Sequence, residues 1–139
     1  MDFTFKKEEH LKSRKDIALL VEKGSSFLIY PFKVRWIRVT DQETPVKCAF
    51  GVPKRNFKRA VDRNRIKRLM REAYRLNKKQ LTDYLIEKNV KIQILFTFID
   101  TSLPDFEKVE SKIILTLQSL ISKNEKSTDS LSGDSGKNI

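Results

Sequence analysis

KRNFKRAVDRNRIKRLMREAYRLNKK, residues 54–79, decides how this chain reads. The stretch holds about 12 Lys and Arg against about two acidic residues, Asp62 and Glu72. Its net charge of about +10 nearly equals the +11 of all 139 residues. Charge gathered on one element points to a polyanionic partner, and nucleic acid is the first candidate.

The spacing predicts a helix from residue 58 to about residue 79. With Arg63 at zero and an advance of about 100° per residue, Ile66, Leu69, Met70, Ala73 and Leu76 share an arc of about 120°. Asn64, Lys67, Arg68, Arg71 and Arg75 fall between about 40° and 140°, nearly opposite. One face suits packing on a sheet and the other suits phosphates. An ordinary solvated helix face mixes signs, because Glu–Lys pairs one turn apart stabilise it and like charges repel. This face has almost no acid. Arg outnumbers Lys, which favours bidentate phosphate binding. Asn64 adds a neutral group able to bond a phosphate, a ribose hydroxyl or a base edge.

Working outward, residues 12–23 predict a short helix with Ser13 as N-cap, Asp16 as its weaker partner and Gly24 as the stop. Residues 27–40 are strand-rich, with Pro31 a break. Phe32, Val34 and Trp36 alternate with Lys33 and Arg35, so they take opposite faces. Residues 46–52 predict a second strand, residues 81–89 a turn of helix and a loop, and residues 90–99 a strong strand. Residues 106–122 predict an amphipathic helix, capped by Ser102 or Asp105. Domain organisation follows: a single domain over residues 1–122, then a polar, disordered tail over residues 123–139, where apolar residues almost vanish.

Composition excludes several functions. At 39% hydrophobic residues the chain builds one modest core. No run approaches the roughly 20 apolar residues of a spanning helix, and charge follows the N-terminus where a secretory stretch would be apolar. A cytoplasmic protein is expected. Cys48 is the one cysteine and His10 the one histidine, so protein-borne nucleophilic catalysis and a Cys/His zinc site are disfavoured. Cys48 sits in an apolar run and is expected in the core; His10 sits among charges and is expected to be solvated. No metal site is expected.

The segment from Val52 to Tyr74 resembles the signature of the bacterial ribonuclease P protein subunit. The family pattern A-x-x-R-N-x-x-K-R-x-x-R-E is matched at Ala60, Arg63, Asn64, Lys67, Arg68, Arg71 and Glu72, and the preceding V-x-K-[KR] at Val52, Lys54 and Arg55. Similarity extends from about residue 11 to about residue 120. The resemblance implies a compact α+β two-layer sandwich in the order αβββαβα, with a four-stranded sheet and a left-handed βαβ crossover, where general rules give a right-handed one. It implies a protein component of ribonuclease P, an endoribonuclease whose active site and Mg2+ belong to a catalytic RNA subunit and which removes the 5′ leader of precursor tRNA. Lys54, Arg55, Arg59, Arg63, Asn64, Arg65, Lys67, Arg68 and Arg71 would then face the RNA. The leader would lie between the first helix and the sheet, near Ile17, Val21, Lys33 and Arg35. Ile17 and Val21 stand where the family often has Phe, so they serve either that cleft or the core. No membrane and no obligate protein partner are implied. The competing readings are a non-catalytic RNA-binding protein of ribosomal or chaperone type and a protein-only nuclease.

Overall fold

The computed structural model describes Phe5 and residues 7–133, with side chains through residue 126. A short 3-10 turn, Lys7–Glu9, precedes α1 (Arg14–Lys23), β1 (Ser25–Ile29), β2 (Phe32–Val39), β3 (Val46–Gly51), α2 (Ala60–Asn77), α3 (Lys79–Lys88), β4 (Lys91–Phe98) and α4 (Phe106–Gly133). The strands form one sheet in the order β1-β2-β4-β3. β1 and β2 are an antiparallel hairpin turning at Tyr30-Pro31, which places the break where proline predicted it. β2 pairs antiparallel with β4, and β3 pairs parallel with β4, so α2 and α3 make the crossover between parallel neighbours.

Alternation sets the core face. Phe32, Val34 and Trp36 stand opposite Phe98, Phe96 and Ile94, while Val46 and Cys48 stand opposite Ile92 and Ile94. Against this face pack Ile66, Met70, Ala73 and Tyr74 of α2, Leu81 and Leu85 of α3, and Val109, Ile113, Leu117 and Leu120 of α4. Removing this apolar surface from water is the main stabilising term. Leu11 and Leu20 are buried apart from that cluster. Leu20 lies where α1 crosses the sheet against β2 and β4, while Leu11, ahead of α1, donates its N–H to Cys48 O of β3 at 2.9 Å.

The caps follow the sequence. Ser13 Oγ accepts the Asp16 N–H at 3.2 Å, and Asp105 Oδ1 accepts the Lys108 N–H at 2.8 Å. Two boundaries differ from expectation. Where one helix, then a further turn of helix and a loop, were predicted, two full helices meet at Lys78, so the order is αβββααβα. The Asn77 amide donates to Ala73 O at 2.8 Å and to Glu110 Oε2 at 3.0 Å, taking up a helical carbonyl just before the junction. α3 ends at Asn89 in the left-handed region (φ 56°), where Val90 N–H reaches back to Leu85 O at 2.9 Å.

The tail expected from residue 123 is the second correction. α4 continues to Gly133, and Asn124 is fully buried. Arg38 donates through Nε to Asn124 Oδ1 at 3.1 Å and through Nη2 to Asn124 O at 2.9 Å. Composition cannot register a partner on β2. Residues 134–139 of the expected tail lie outside the described residues.

Gly24 caps α1 with φ −72°, so it is not there for a left-handed backbone. A Cβ at that position would meet Leu20 O at 2.5 Å and Trp36 O at 2.9 Å, both backbone atoms. Gly24→Ala is therefore expected to cost about 2 kcal/mol in urea unfolding. Gly51→Ala, with open space around its Cβ, is expected to stay within about 0.5 kcal/mol of wild type. Equal stabilities for the two variants would contradict this packing.

Candidate nucleic-acid interface

The rotational setting of α2 comes from its buried side. Ile66, Met70, Ala73 and Tyr74 are fully buried, whereas Leu76 is 38% exposed. The apolar stripe is thus turned by about 40° from the predicted one, with Tyr74 replacing Leu76. Tyr74 enters because Phe50 and Phe96 of the sheet, with ring centroids 6.0 Å from its own, offer it aromatic neighbours. That rotation leaves Asn64, Arg65, Arg68 and Arg71 exposed and Lys67 half-buried. Lys54 and Arg55 are exposed in the turn that leads into the helix.

The basic residues divide by what they touch. Among the described residues, no ion pair engages Lys54, Arg55, Arg65, Lys67, Arg68 or Arg71. Arg59 pairs with Asp62, Nε to Oδ2 at 3.0 Å and Nη2 to Oδ1 at 3.2 Å. Arg63 is half-buried and donates through Nη1 to Phe57 O at 2.7 Å and Lys58 O at 2.9 Å. It fastens the turn of residues 54–58 onto the first turn of α2, which lacks a side-chain N-cap. Arg75, placed on the cationic stripe by the sequence, binds Glu72 at 2.6 Å. That bond holds the Glu72 carboxyl below its usual range. The exposed positive surface is therefore narrower than the count of basic residues implied.

One neighbour of this surface was missed. Phe5 packs against Tyr74 and Phe50, with centroids 5.6 and 6.1 Å apart, and Glu9 binds the mostly buried Lys78 at 2.6 Å. His10 is half-buried, its ring 3.9 Å from that of Phe5, so the expectation of a solvated histidine is corrected. The N-terminal arm is short and highly charged, and only its pairing with α2 and β3 reveals its place. The one available signal was Phe5 itself, an aromatic residue just ahead of a charged run.

On the opposite sheet face, Lys33 is exposed and Arg35 half-buried, beside Thr97 and Leu95 of β4. On α1, Ile17 is half-buried and Val21 is 46% exposed, while Leu20 supplies the anchor. Of the two readings left open for these residues, Val21 is outside the core. Leu28, also on this face, is 60% exposed. Two open depressions of about 450 and 480 Å3 lie elsewhere and include none of the predicted site residues.

The chemistry available to the protein is limited. Among the described residues, no three His, Cys, Asp or Glu side chains gather to hold a metal ion. No described helix is long and apolar enough to cross a membrane. Cys48 is buried in the core as predicted, and burial pushes its thiol far above the usual range.

A family model described as Ribonuclease P matches residues 5–116. The ribonuclease P protein component of Porphyromonas gingivalis is 39% identical over 109 residues, 78% of this chain and 80% of the relative. That of Chlorobaculum tepidum is 42% identical over 84 residues, 56% of this chain and 54% of the relative. The fold is similar to the RNase P protein of Staphylococcus aureus, with a TM-score of 0.67 at 18% identity over 81% of this chain and 94% of that one. It is also similar to the RNase P protein of Thermotoga maritima, with a TM-score of 0.65 at 22% identity over 80% and 96%.

A buried, protonated thiol is a poor nucleophile. The folded protein is expected to leave a thiol reagent unreacted at about pH 8, with full modification only after denaturant is added. Fast labelling of the native chain would place Cys48 at the surface.

Proposed function

The chain belongs to the family of bacterial ribonuclease P protein components, and we propose that the cationic side of α2 binds the catalytic RNA of that enzyme. The observation that carries this reading is the set of signature cations, Lys67, Arg68 and Arg71 with Lys54, Arg55 and Arg65, that no acid of the described fold neutralises. Like charges held one turn apart repel. Phosphates relieve that repulsion, and the counterions they release favour binding at low salt. Asn64 stands among these cations with its amide open to a ribose or a base. Arg59 and Arg63 join by shaping the entry turn, with outer guanidinium edges left for phosphate.

In the same proposal, the half-covered sheet face receives the 5′ leader of precursor tRNA. Val21 and Leu28 offer apolar surface, Ile17 lines the helix side, and Lys33 and Arg35 offer charge to the backbone. Stacking on an aromatic ring contributes roughly 1–3 kcal/mol per base. Aliphatic Ile17 and Val21 therefore grip a leader mainly by shape and charge. Bond cleavage belongs to the RNA, with Mg2+ held by the RNA; among the described residues the one thiol is buried and no three metal-ligating side chains gather. A cytoplasmic setting, where tRNA precursors are made, follows from this role.

Reconstitution tests the assignment. Precursor tRNA is expected to be cut at low magnesium only when chain and catalytic RNA are both present. Cleavage by the chain alone would make it a nuclease, and RNA binding without any effect on cleavage would favour a ribosomal-type or chaperone protein. The face itself is tested by salt. Arg68→Ala is expected to weaken RNA affinity and reduce the slope of log K against log salt by about one phosphate unit. Arg75→Ala, whose guanidinium is spent on Glu72, is expected to change that slope far less. The reverse order would move the interface off this face.

A further inference from the structure

His10 is held in place from several sides. Its backbone bridges to Cys48 of β3, and the next N–H, of Leu11, donates to Cys48 O at 2.9 Å. Its ring lies on Phe5, which packs in turn on Tyr74 of α2. The residue before it, Glu9, is bound to Lys78 where α2 meets α3. The imidazole therefore sits at a fixed place beside the C-terminal half of the basic helix.

The charges around it do not balance. Burial lowers its proton affinity most; a hydrogen bond with the Phe5 backbone raises it, Lys12 and Arg71 lower it, and Glu9 raises it. Glu9 is committed to Lys78. Cys48 on β3 and Tyr74 on α2, the other titratable groups facing this junction, are buried and kept uncharged by that burial. Lys12 and Arg71 are exposed, and neither has an ion pair among the described residues. Two uncompensated cations thus act on one pinned imidazole at the edge of the helix's positive face.

We propose that His10, Lys12 and Arg71 form a single phosphate-binding site for the RNA backbone, and that His10 takes up a proton from solvent when the phosphate arrives. A phosphodiester seated between Lys12 and Arg71 and against the ring offsets their field there and accepts a hydrogen bond from the charged imidazole. The neutral imidazole of the free protein then becomes an imidazolium, a third donor to the same anion. The proton is gained in the bound state, so binding tightens as pH falls through the bound-state titration of His10 and loses that contribution above it. The inference rests on the RNA-binding reading above and adds a site off the signature helix, with a proton linkage.

His10 is the only histidine, so its imidazole can be followed alone. Calorimetric titration of the full chain with ribonuclease P RNA at about pH 7, in two buffers of different ionisation enthalpy, counts the protons taken up. Wild type is expected to take up a measurable fraction of a proton more than His10→Gln. Its affinity is expected to gain roughly threefold or more between about pH 8 and about pH 6 relative to that variant. The imidazole resonance of the unmodified chain gives a reading independent of any substitution. Its titration midpoint should move up when a short RNA duplex is added, and in the free protein it should move up in Arg71→Ala or Lys12→Ala. A midpoint that ignores RNA, or equal proton uptake by two tightly binding proteins, overturns the site and leaves the RNA-binding reading intact. Failure of wild type to bind the RNA at all overturns both.

Discussion

The structure depends on the seating of one helix. Ile66, Met70, Ala73 and Tyr74 lock α2 against the aromatic face of the sheet, and that contact alone decides which way its cations point. The helix carries Arg65, Lys67, Arg68 and Arg71 with little acidic relief. Isolated, such a segment would be a poor helix, because its own charges repel. Burial of its apolar side overrides the repulsion. The fold thereby maintains a charged surface that local energetics would not choose, a conflict between local and global preference that marks functional sites.

Around that seating, the remaining elements act as supports. β4 lies between β2 and β3 and receives the side chains of three helices on one face. Asn77 ties the end of α2 to Glu110 of α4, and Arg38 ties Asn124 of α4 to β2. The N-terminal arm adds a brace on the other flank through Glu9, Lys78 and Phe5. These ties use polar groups that would be costly to bury unpaired. Arg63 shows the same economy within the signature, since its guanidinium satisfies two backbone carbonyls, of Phe57 and Lys58, in the segment that leads into the helix.

Much of this was legible in the chain. Alternation at Phe32, Val34 and Trp36 assigned the sheet face correctly, Pro31 marked the hairpin, and Ser13 and Asp105 marked helix starts, because each signal is local. The signature residues were legible as a surface because charge and apolar residues separate at the helical period. What escaped depends on distant partners. The exposure of Leu76 and burial of Tyr74 follow from rings on β3 and β4. The junction at Lys78 involves a bond to Glu110, and the helical run past residue 122 involves Arg38. The brace by Phe5 and the half-buried His10 came from distant pairings, such as Glu9 with Lys78, 69 residues apart, and His10 with Cys48. No window of sequence contains such a contact.

The central claim is that a folded RNA lies against one side of α2. It is tested most directly by an iron chelate tethered to the chain, with the RNA backbone as the reporter. Val61 is 64% exposed beside Arg65 and Arg68 without belonging to the signature, and the buried Cys48 leaves Val61→Cys as the accessible thiol. Hydroxyl radicals released there should cut ribonuclease P RNA in a few confined segments, while the same chelate at Glu87→Cys on α3 should cut weakly. Equal cleavage from both positions, or stronger cleavage from α3, would contradict the account.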